Sequence, residues 1–383
     1  MVRQPERGAG MRHERIVVVG AGPFGLALGR ELRRQGFDPL ILERGSAVAS
    51  AWRSRHPQLQ LNTHRVNSGL RGQPIPRTAG TWPALPDYVA YLDCIAGQSR
   101  CRIEVNCTVQ KLDRDAGTWL LKTGKGRIRA DQVVLATGFD NTPVVPNWPG
   151  ACGFSGSILH SRDMGDARRY RNKSVLVAGA GNSAVDCLNV LARAKTADLS
   201  VSVRAGSTTV PAELFGFPLQ LTAPLLEHLP ARLADAVLSG VERLAFGDLS
   251  KFGLNRCRAG AASRLKNEHV APSVDRGFVA ELKRGKIPVF PQIARFASDQ
   301  VHFDDGRTLR PDFVIAATGY RSGLESIAGH LGVLDEAGRP RCCGTAVRPG
   351  LRFALMPPPL GGSLRAISKK APVIARSIAR DLN

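Results

Sequence analysis

No run of about 18 consecutive apolar residues occurs in the sequence, so no membrane-spanning helix is expected. The leading segment MVRQPERGAGMRHER is basic and has no apolar core, so it does not read as a secretory signal; residues 1–13 are expected to be a disordered leader, or Met11 the true start. The eight cysteines include no C-x-x-C pair and share no spacing with histidine, so neither a zinc site nor a thioredoxin-like dithiol is expected. A reducing, cytoplasmic setting fits that usage, with adjacent Cys342 and Cys343 as two free thiols in a turn. Acidic residues are scarce: 53 Lys and Arg against 32 Asp and Glu leave a net charge of +21. That excess invites a nucleic-acid partner, but the arginines are scattered through every segment, and the densest run, ARRYRNK, leads straight into a strand and a glycine-rich loop. A solvated basic face that attracts small anionic ligands is the simpler account, with no nucleic acid and no membrane as partner.

What is present is one pattern used twice in 383 residues, a length that suits two to three domains. The first copy runs from the strand IVVVG through the loop GAGPFG into the helix FGLALGRELRRQG and the strand LILER. Two alternating segments, IEVNCTVQ and TWLLKT, then lead to ADQVVLATGF. The second copy has VLVAG, GAGNSA, the helix AVDCLNVLARA and the strand LSVSVR, followed by VHFDDG and PDFVIAATGY. Asp131, Val133, Val134 and Ala136 to Phe139 match Asp312, Val314, Ile315 and Ala317 to Tyr320 almost position for position. The repetition predicts an α/β fold with two dinucleotide-binding, Rossmann-like domains, the second inserted in the first. The expected boundaries are 14–150 and 319–383 for the first domain and 151–318 for the second.

Each copy has a stated physical logic. Unbroken Val and Ile suit parallel strands buried on both faces. In the first loop Gly20 permits the tight turn, Gly22 lets a pyrophosphate reach the backbone, and Gly25 lets the helix pack close; Pro23 and Phe24 complete the loop. The helix N-terminus then offers N–H groups and a partial positive charge to phosphate. Glu43, with Arg44 after it, ends the next strand at the spacing that grips ribose hydroxyls. The second loop has Gly179, Gly181, Asn182 and Ser183, with Ala184 at the third glycine position, and its following strand ends in Arg204 with no carboxylate. A guanidinium there suits a ribose 2′-phosphate. Together the copies imply FAD held firmly and NADPH visiting. Val109 is a further cofactor-binding candidate, and the repeated Ala136-Thr137-Gly138 and Ala317-Thr318-Gly319 are expected to carry the chain between domains.

Between the two loops lies FSGSILHSRDM. With Phe154, Gly156, His160 and Ser161 in place, the chain resembles class B flavoprotein monooxygenases, the flavin-containing and YUCCA-type enzymes, whose fingerprint is Phe-x-Gly-x-x-x-His-x-x-x-aromatic. Met164 stands at the aromatic position. The resemblance covers nearly the whole chain beyond Glu14 and includes GAGPFG, GAGNSAVD, VRAGSTTVPAELFG, FGLNR and ATGY. In HPQLQLNTHR, Asn62 occupies the place of an asparagine that in flavin-containing monooxygenases points at the flavin edge, where YUCCA-type relatives have another residue; Arg65 replaces a lysine. Trp52 resembles the tryptophan that ends the family's glycine-glycine-x-Trp loop, with Ser50 and Ala51 before it.

The resemblance implies an FAD-dependent, NADPH-consuming monooxygenase. NADPH reduces FAD, molecular oxygen forms a C4a-hydroperoxyflavin, and one oxygen atom passes to a small organic substrate. Heteroatom oxygenation, Baeyer–Villiger insertion and 2-oxo-acid decarboxylation remain open. Asn62 is the candidate donor that holds the peroxide. Gly156 is expected in a backbone conformation closed to other residues; His160 bonds the domain linker, lies near the NADPH phosphates, or is a satisfied structural histidine. Met164→Tyr is expected to alter peroxide leakage with FAD binding intact. Gly361 and Gly362 should open a C-terminal helix facing the flavin, with Ile367, Ala371, Ile374 and Ile378 packed on the first domain. The stretch from Leu214 to Arg264 is expected to be helical. The rivals are a disulfide reductase, which needs a dithiol, an NADPH oxidase that transfers no oxygen, and a basic nucleotide-binding protein without turnover.

Overall fold

The Val and Ile runs form the parallel strands of two sheets, with side chains buried on both faces. The computed structural model describes residues 11–354 and 358–383. In the first sheet β1 (Arg12–Val19) lies between β2 (Leu40–Leu42) and β6 (Gly126–Leu135), parallel to both, and β3 (Arg102–Glu104) extends the sheet beyond β2. Ile16 and Val18 enter one core cluster with Leu26, Leu92 and Ile378, while Val17 and Val19 enter another with Leu112, Trp119 and Leu351. Period-two alternation therefore feeds two apolar cores, which is why the sequence shows no polar alternation. Each such side chain contributes about 2 kcal/mol on burial. Between β3 and β6, the strands β4 (Val109–Asp115) and β5 (Thr118–Thr123) form an antiparallel meander onto β6. The parallel strand Leu351–Phe353 pairs with the end of β6, and Ala346–Arg348 pairs antiparallel with it as the edge of the sheet.

The second sheet is wholly parallel. Its strands are β8 (Ser157–His160), β9 (Ser174–Ala178), β10 (Asp198–Ser202) and the strands Val289–Phe290 and Phe313–Ala316. Val175 and Val177 face one core, Leu176 and Ala178 the other. In chain order this sheet falls between β6 and Leu351–Phe353 of the first. The two crossings touch: β7 (Thr142–Pro143), just after Ala136-Thr137-Gly138, pairs antiparallel with Tyr320–Arg321, just after Ala317-Thr318-Gly319. Val144 N–H donates to the Gly319 carbonyl at 3.0 Å, so the passage between sheets is a two-stranded ribbon.

Two expectations need correction here. The expected leader, residues 1–13, lies outside the described residues as far as 10, but its last part is strand: Arg12 and His13 pair with Ile128 and Arg129 of β6. The cause is β6, long enough to template two more residues, with His13 Nε2 2.8 Å from Asp131 Oδ1. The stretch from Leu214 is not helical at its start. Glu213–Leu214 and Phe217–Pro218 make a hairpin, with Phe215 (φ 51°) and Gly216 (φ 77°) as the turn. Two successive positive φ angles make a primed turn, and that local signal outweighs the Leu and Ala periodicity. Helices follow at Ala231–Phe246 and Ala261–Glu268.

The C-terminal helix Ser363–Leu382 packs on the first sheet's helical layer, with Ala371, Ile374 and Ile378 buried as the spacing predicts. Arg352, 1% exposed, ties it to the sheet: Nη1 donates to Gln132 Oε1 at 2.6 Å, and Nη2 reaches Ser377 Oγ at 3.2 Å and the carboxylate of Asp381. Asp381→Ala strands a buried guanidinium and is expected to cost about 3 kcal/mol. A lower thermal midpoint with unchanged secondary structure checks this. Among the described residues no helix is long and apolar enough to cross a membrane.

Candidate active site

A cavity of about 890 Å³ runs from the first glycine loop to Asn182 and Ser183 at the end of the second, with Gly179, Gly181 and Arg204 outside its lining. Gly20 (φ 109°) could not carry a side chain, because a Cβ would lie 2.6 Å from the Ala136 carbonyl oxygen. A Cβ on Gly25 would lie 1.8 Å from the Gly20 carbonyl oxygen. Gly22 differs: a Cβ there meets nothing within 4 Å, and the residue lines the cavity. The first and third glycines thus serve the protein's own packing, and the middle one keeps a cradle open. Pro23 starts the helix Pro23–Arg34 with no side-chain cap, and Phe24 is buried behind it. Glu43, buried, accepts the Ala21 N–H through Oε2 and the Gly45 N–H through Oε1, both at 2.9 Å, and each oxygen retains a lone pair for a hydroxyl. Arg44, Val109, Ala136 and Gly138 line the same end, as does Thr137, whose buried Oγ1 has no partner.

The second loop repeats the first. Gly181 precedes its helix at φ −84°, ψ −174°, against −79° and −174° for Gly22, and Gly179 (φ 133°) sits 2.5 Å in Cβ distance from the Ala317 carbonyl. Ala184, fully buried, takes the place of Gly25, so the helix Asn182–Leu191 stands off its strand by a methyl group. The Gly20 N–H bonds the Leu42 carbonyl at 2.7 Å, and the Gly179 N–H bonds that of Ser202 at 2.9 Å. This register aligns Glu43 with Val203 and Arg44 with Arg204. Arg204 therefore lies one residue beyond the place of the acidic residue, exposed and without an ion pair among the described residues.

The copies meet through the loop after Trp52, which lines the cavity and packs edge-on against Tyr88 at 4.8 Å. Asn62 Nδ2 donates to Asn182 Oδ1 at 3.0 Å, and Asn182 is tied in turn to Pro272 O (2.9 Å) and Val274 N–H (3.2 Å). One amide proton of Asn62 is thereby committed and one remains. Ser183 also lines the cavity. Sequence reasoning missed His56 and Asp186, which line the cavity with Nε2 and Oδ2 2.6 Å apart, and Arg55, stacked 4.8 Å over Tyr320. Both loop residues stand in the HPQLQLN stretch or directly before it, and Asp186 is the last residue of GAGNSAVD, so proximity to Asn62 was the available signal. Asp140 lines the same cavity from an exposed position, near the Arg55 guanidinium.

The FSGSILHSRDM segment lies outside the cavity apart from Ser161. Gly156 does not have the special backbone expected of it: it is absent from the positive-φ glycines, and its need for hydrogen is spatial, since a Cβ would meet the Phe154 ring at 2.5 Å and the Asp312 carbonyl at 2.8 Å. His160, 3% exposed, accepts the Arg162 N–H at Nδ1 (3.1 Å), which assigns the proton to Nε2, and Nε2–H donates to the Gly319 carbonyl at 3.0 Å. Its ring stands edge-on to Tyr320 at 4.8 Å, so both hold the ribbon that joins the sheets. Thr318 Oγ1 donates to the Val144 carbonyl in the same ribbon. Met164 is fully buried among Ala167, Tyr170 and Val175, so Met164→Tyr overpacks a core rather than reporting on coupling.

Burial lowers the His160 pKa from 6.5. The folded state then binds fewer protons than the unfolded chain just below that value, so this contribution to stability is present above it and lost as pH falls. Thermal midpoints measured between about pH 5 and 8 should fall more steeply on acidification in the parent protein than in His160→Gln.

Gly362 (φ 92°) precedes the C-terminal helix, whose first turn brings Ser363, Leu364 and Ile367 to the cavity. Burial pushes the Cys187 thiol in the cavity wall far up, which suppresses its thiolate.

Residues 17–212 match a family model described as pyridine nucleotide-disulphide oxidoreductase. The chain is 34% identical over 323 residues to a probable indole-3-pyruvate monooxygenase, YUCCA3, of Arabidopsis thaliana, covering 81% of this chain and 74% of that protein. The chain belongs to the flavin-containing monooxygenase and YUCCA-like family. It is 33% identical to the indole-3-pyruvate monooxygenase YUCCA1 of Oryza sativa subsp. japonica, over 81% of this chain and 77% of that one. In fold, this flavin monooxygenase is similar to a variant of a flavin monooxygenase from Stenotrophomonas maltophilia, with TM-score 0.75, 21% identity and coverage of 97% and 100%. A caprolactone-bound cyclohexanone monooxygenase gives TM-score 0.74 at 16% identity, with coverage of 97% and 88%. The enzyme is thus an oxidoreductase of the flavin-dependent monooxygenase type, with mixed α/β architecture and Rossmann-like parallel sheets.

Proposed function

We propose that this monooxygenase uses FAD in the first cradle and NADPH in the second, the NADPH domain being inserted in the FAD domain, and that it oxygenates small 2-oxo acids bearing an aromatic group. The cavity that joins the two cradles carries this reading. The first cradle fits a dinucleotide by its own geometry: open space over Gly22, an uncapped helix N-terminus behind it, and the Glu43 carboxylate at the strand end. The distinct residues at the second strand end, Val203 and Arg204, favour a 2′-phosphorylated ligand there. The substrate class follows from relatives named as indole-3-pyruvate monooxygenases.

FAD, when bound, would supply hydride acceptance and oxygen activation; the protein's share is to place and shield. In this reading Glu43 holds the adenosine ribose and the Phe24 and Gly25 amides meet the pyrophosphate. Asn62 offers its uncommitted amide proton at the oxygen-reacting edge, and Ser363 and Leu364 close the cavity on the other side. The overall balance is one 2-oxo acid, one O2, one NADPH and one proton giving a carboxylic acid one carbon shorter, CO2, NADP+ and water.

The test is direct. The purified protein should be yellow, bleach with NADPH under argon and recover colour in air. With an aryl pyruvate it should release CO2 and incorporate one labelled oxygen atom from O2 into the acid. Turnover of amines, sulfides or ketones with no decarboxylation of aryl pyruvates would replace the substrate class, and NADPH consumption yielding only hydrogen peroxide would favour an oxidase.

A further inference from the structure

The loop that carries Asn62 is gripped by the second unit at three points. His56 Nε2 lies 2.6 Å from Asp186 Oδ2, Asn62 Nδ2 lies 3.0 Å from Asn182 Oδ1, and the Arg276 guanidinium donates to the carbonyls of Gln60 and Leu61. Asn182 and Asp186 are four residues apart on one helix and so share a face. Two bonds from that face hold the two ends of the loop and Arg276 holds the residues between, so losing the His56 bond frees the leading end of the loop to rotate about the other two. The histidine contact is not what close packing selects. His56 is 2% exposed, and its Nδ1 is buried with no partner. An imidazole that keeps a short charge-assisted bond while leaving its other nitrogen dry bears a penalty that an apolar residue of similar size avoids.

We propose that His56 and Asp186 are a positioning pair that sets where Asn62 stands relative to the second cradle, and so governs how completely oxygen activation is coupled to oxygen transfer. The proposal rests on the reading that Asn62 serves the oxygen-reacting edge of the flavin. Its physical content is register: the cradle helix is part of the NADPH-binding unit, so the pair transmits the position of that unit to the amide that meets oxygen. Neither residue exchanges atoms with the substrate.

The test uses the flavin-loaded protein with His56→Leu, His56→Gln, Asp186→Leu and the double variant His56→Leu/Asp186→Leu. Flavin content and thermal midpoint register folding; hydrogen peroxide formed per NADPH consumed registers coupling. A displacement of Asn62 on the scale of 1 Å predicts a rise of about ten-fold in the peroxide fraction for His56→Leu and Asp186→Leu. His56→Gln presents an amide N–H where Nε2–H stood and should recover most of the coupling. The double variant should be no worse than either single change. A parent-like peroxide fraction in His56→Leu, or a glutamine variant as leaky as the leucine one, overturns the proposal. Single-turnover reoxidation of the NADPH-reduced flavin in air, with no acceptor, separates the two levels of the argument. If the parent protein oxygenates nothing, the functional reading fails; faster reoxidation in His56→Leu than in His56→Gln would still uphold the positioning pair, and equal rates would overturn it.

Discussion

Gly25→Ala is expected to yield a protein that no longer retains flavin. The added Cβ would lie 1.8 Å from the Gly20 carbonyl oxygen, a backbone atom that cannot rotate away. Gly20 has no room to retreat: its φ is 109°, its Cα face abuts the Ala136 carbonyl, and its N–H is bonded to Leu42 at 2.7 Å. The helix Pro23–Arg34 must therefore move outward, taking its N-terminal amides away from the phosphate position. The FAD affinity should fall by more than about 100-fold, roughly 2.7 kcal/mol. Absorbance of the purified protein in the flavin band, against protein absorbance, measures it. The internal control is Ala184→Gly in the second copy, where the methyl group is native; it should retain flavin and cost the helix only about 1 kcal/mol.

Arg204→Ala should lower kcat/KM for NADPH by about 100-fold and leave that for NADH nearly unchanged, as expected for the loss of a bidentate guanidinium–phosphate contact. The guanidinium is exposed beyond β10 with no ion-pair partner among the described residues, so the substitution removes no internal contact. The register of the two copies extends the prediction. Val203 aligns with Glu43, so Val203→Glu combined with Arg204→Ala recreates the carboxylate of the first copy and should turn the preference toward NADH. Steady-state rates with both nucleotides decide this. An Arg204→Ala enzyme that keeps its preference for NADPH would show that another residue reads the 2′-phosphate.

The parallel strands, both glycine loops and the C-terminal helix were legible because their signals are local. Unbroken Val and Ile at β1 and β9, glycines at fixed offsets, and a three-to-four spacing from Ile367 to Ile378 each specify geometry within a few residues. The first domain was begun two residues late, at Glu14, because Arg12 and His13 owe their extended form to β6, more than 100 residues away. The hairpin at Phe215 and Gly216 was hidden by surrounding Leu and Ala. Gly156 shows a subtler limit: an obligatory glycine was evident, but its cause is the Phe154 ring and the Asp312 carbonyl rather than its own φ. His160 likewise needed the Gly319 carbonyl, brought to it only by folding, to be read as a satisfied structural residue.

The sequence by itself determined that two strand–glycine loop–helix units exist, in which order, and with different residues at their strand ends, because each is built from contacts within about thirty residues. Only the tertiary structure decided how they cooperate. Asn62 meets Asn182, His56 meets Asp186, and the two Ala-Thr-Gly crossings join in one ribbon. Those partners are 120 or more residues apart in the chain, and no local periodicity encodes their meeting; it follows from the 56–62 loop seating on the helix Asn182–Leu191 and from the ribbon that joins the two sheets.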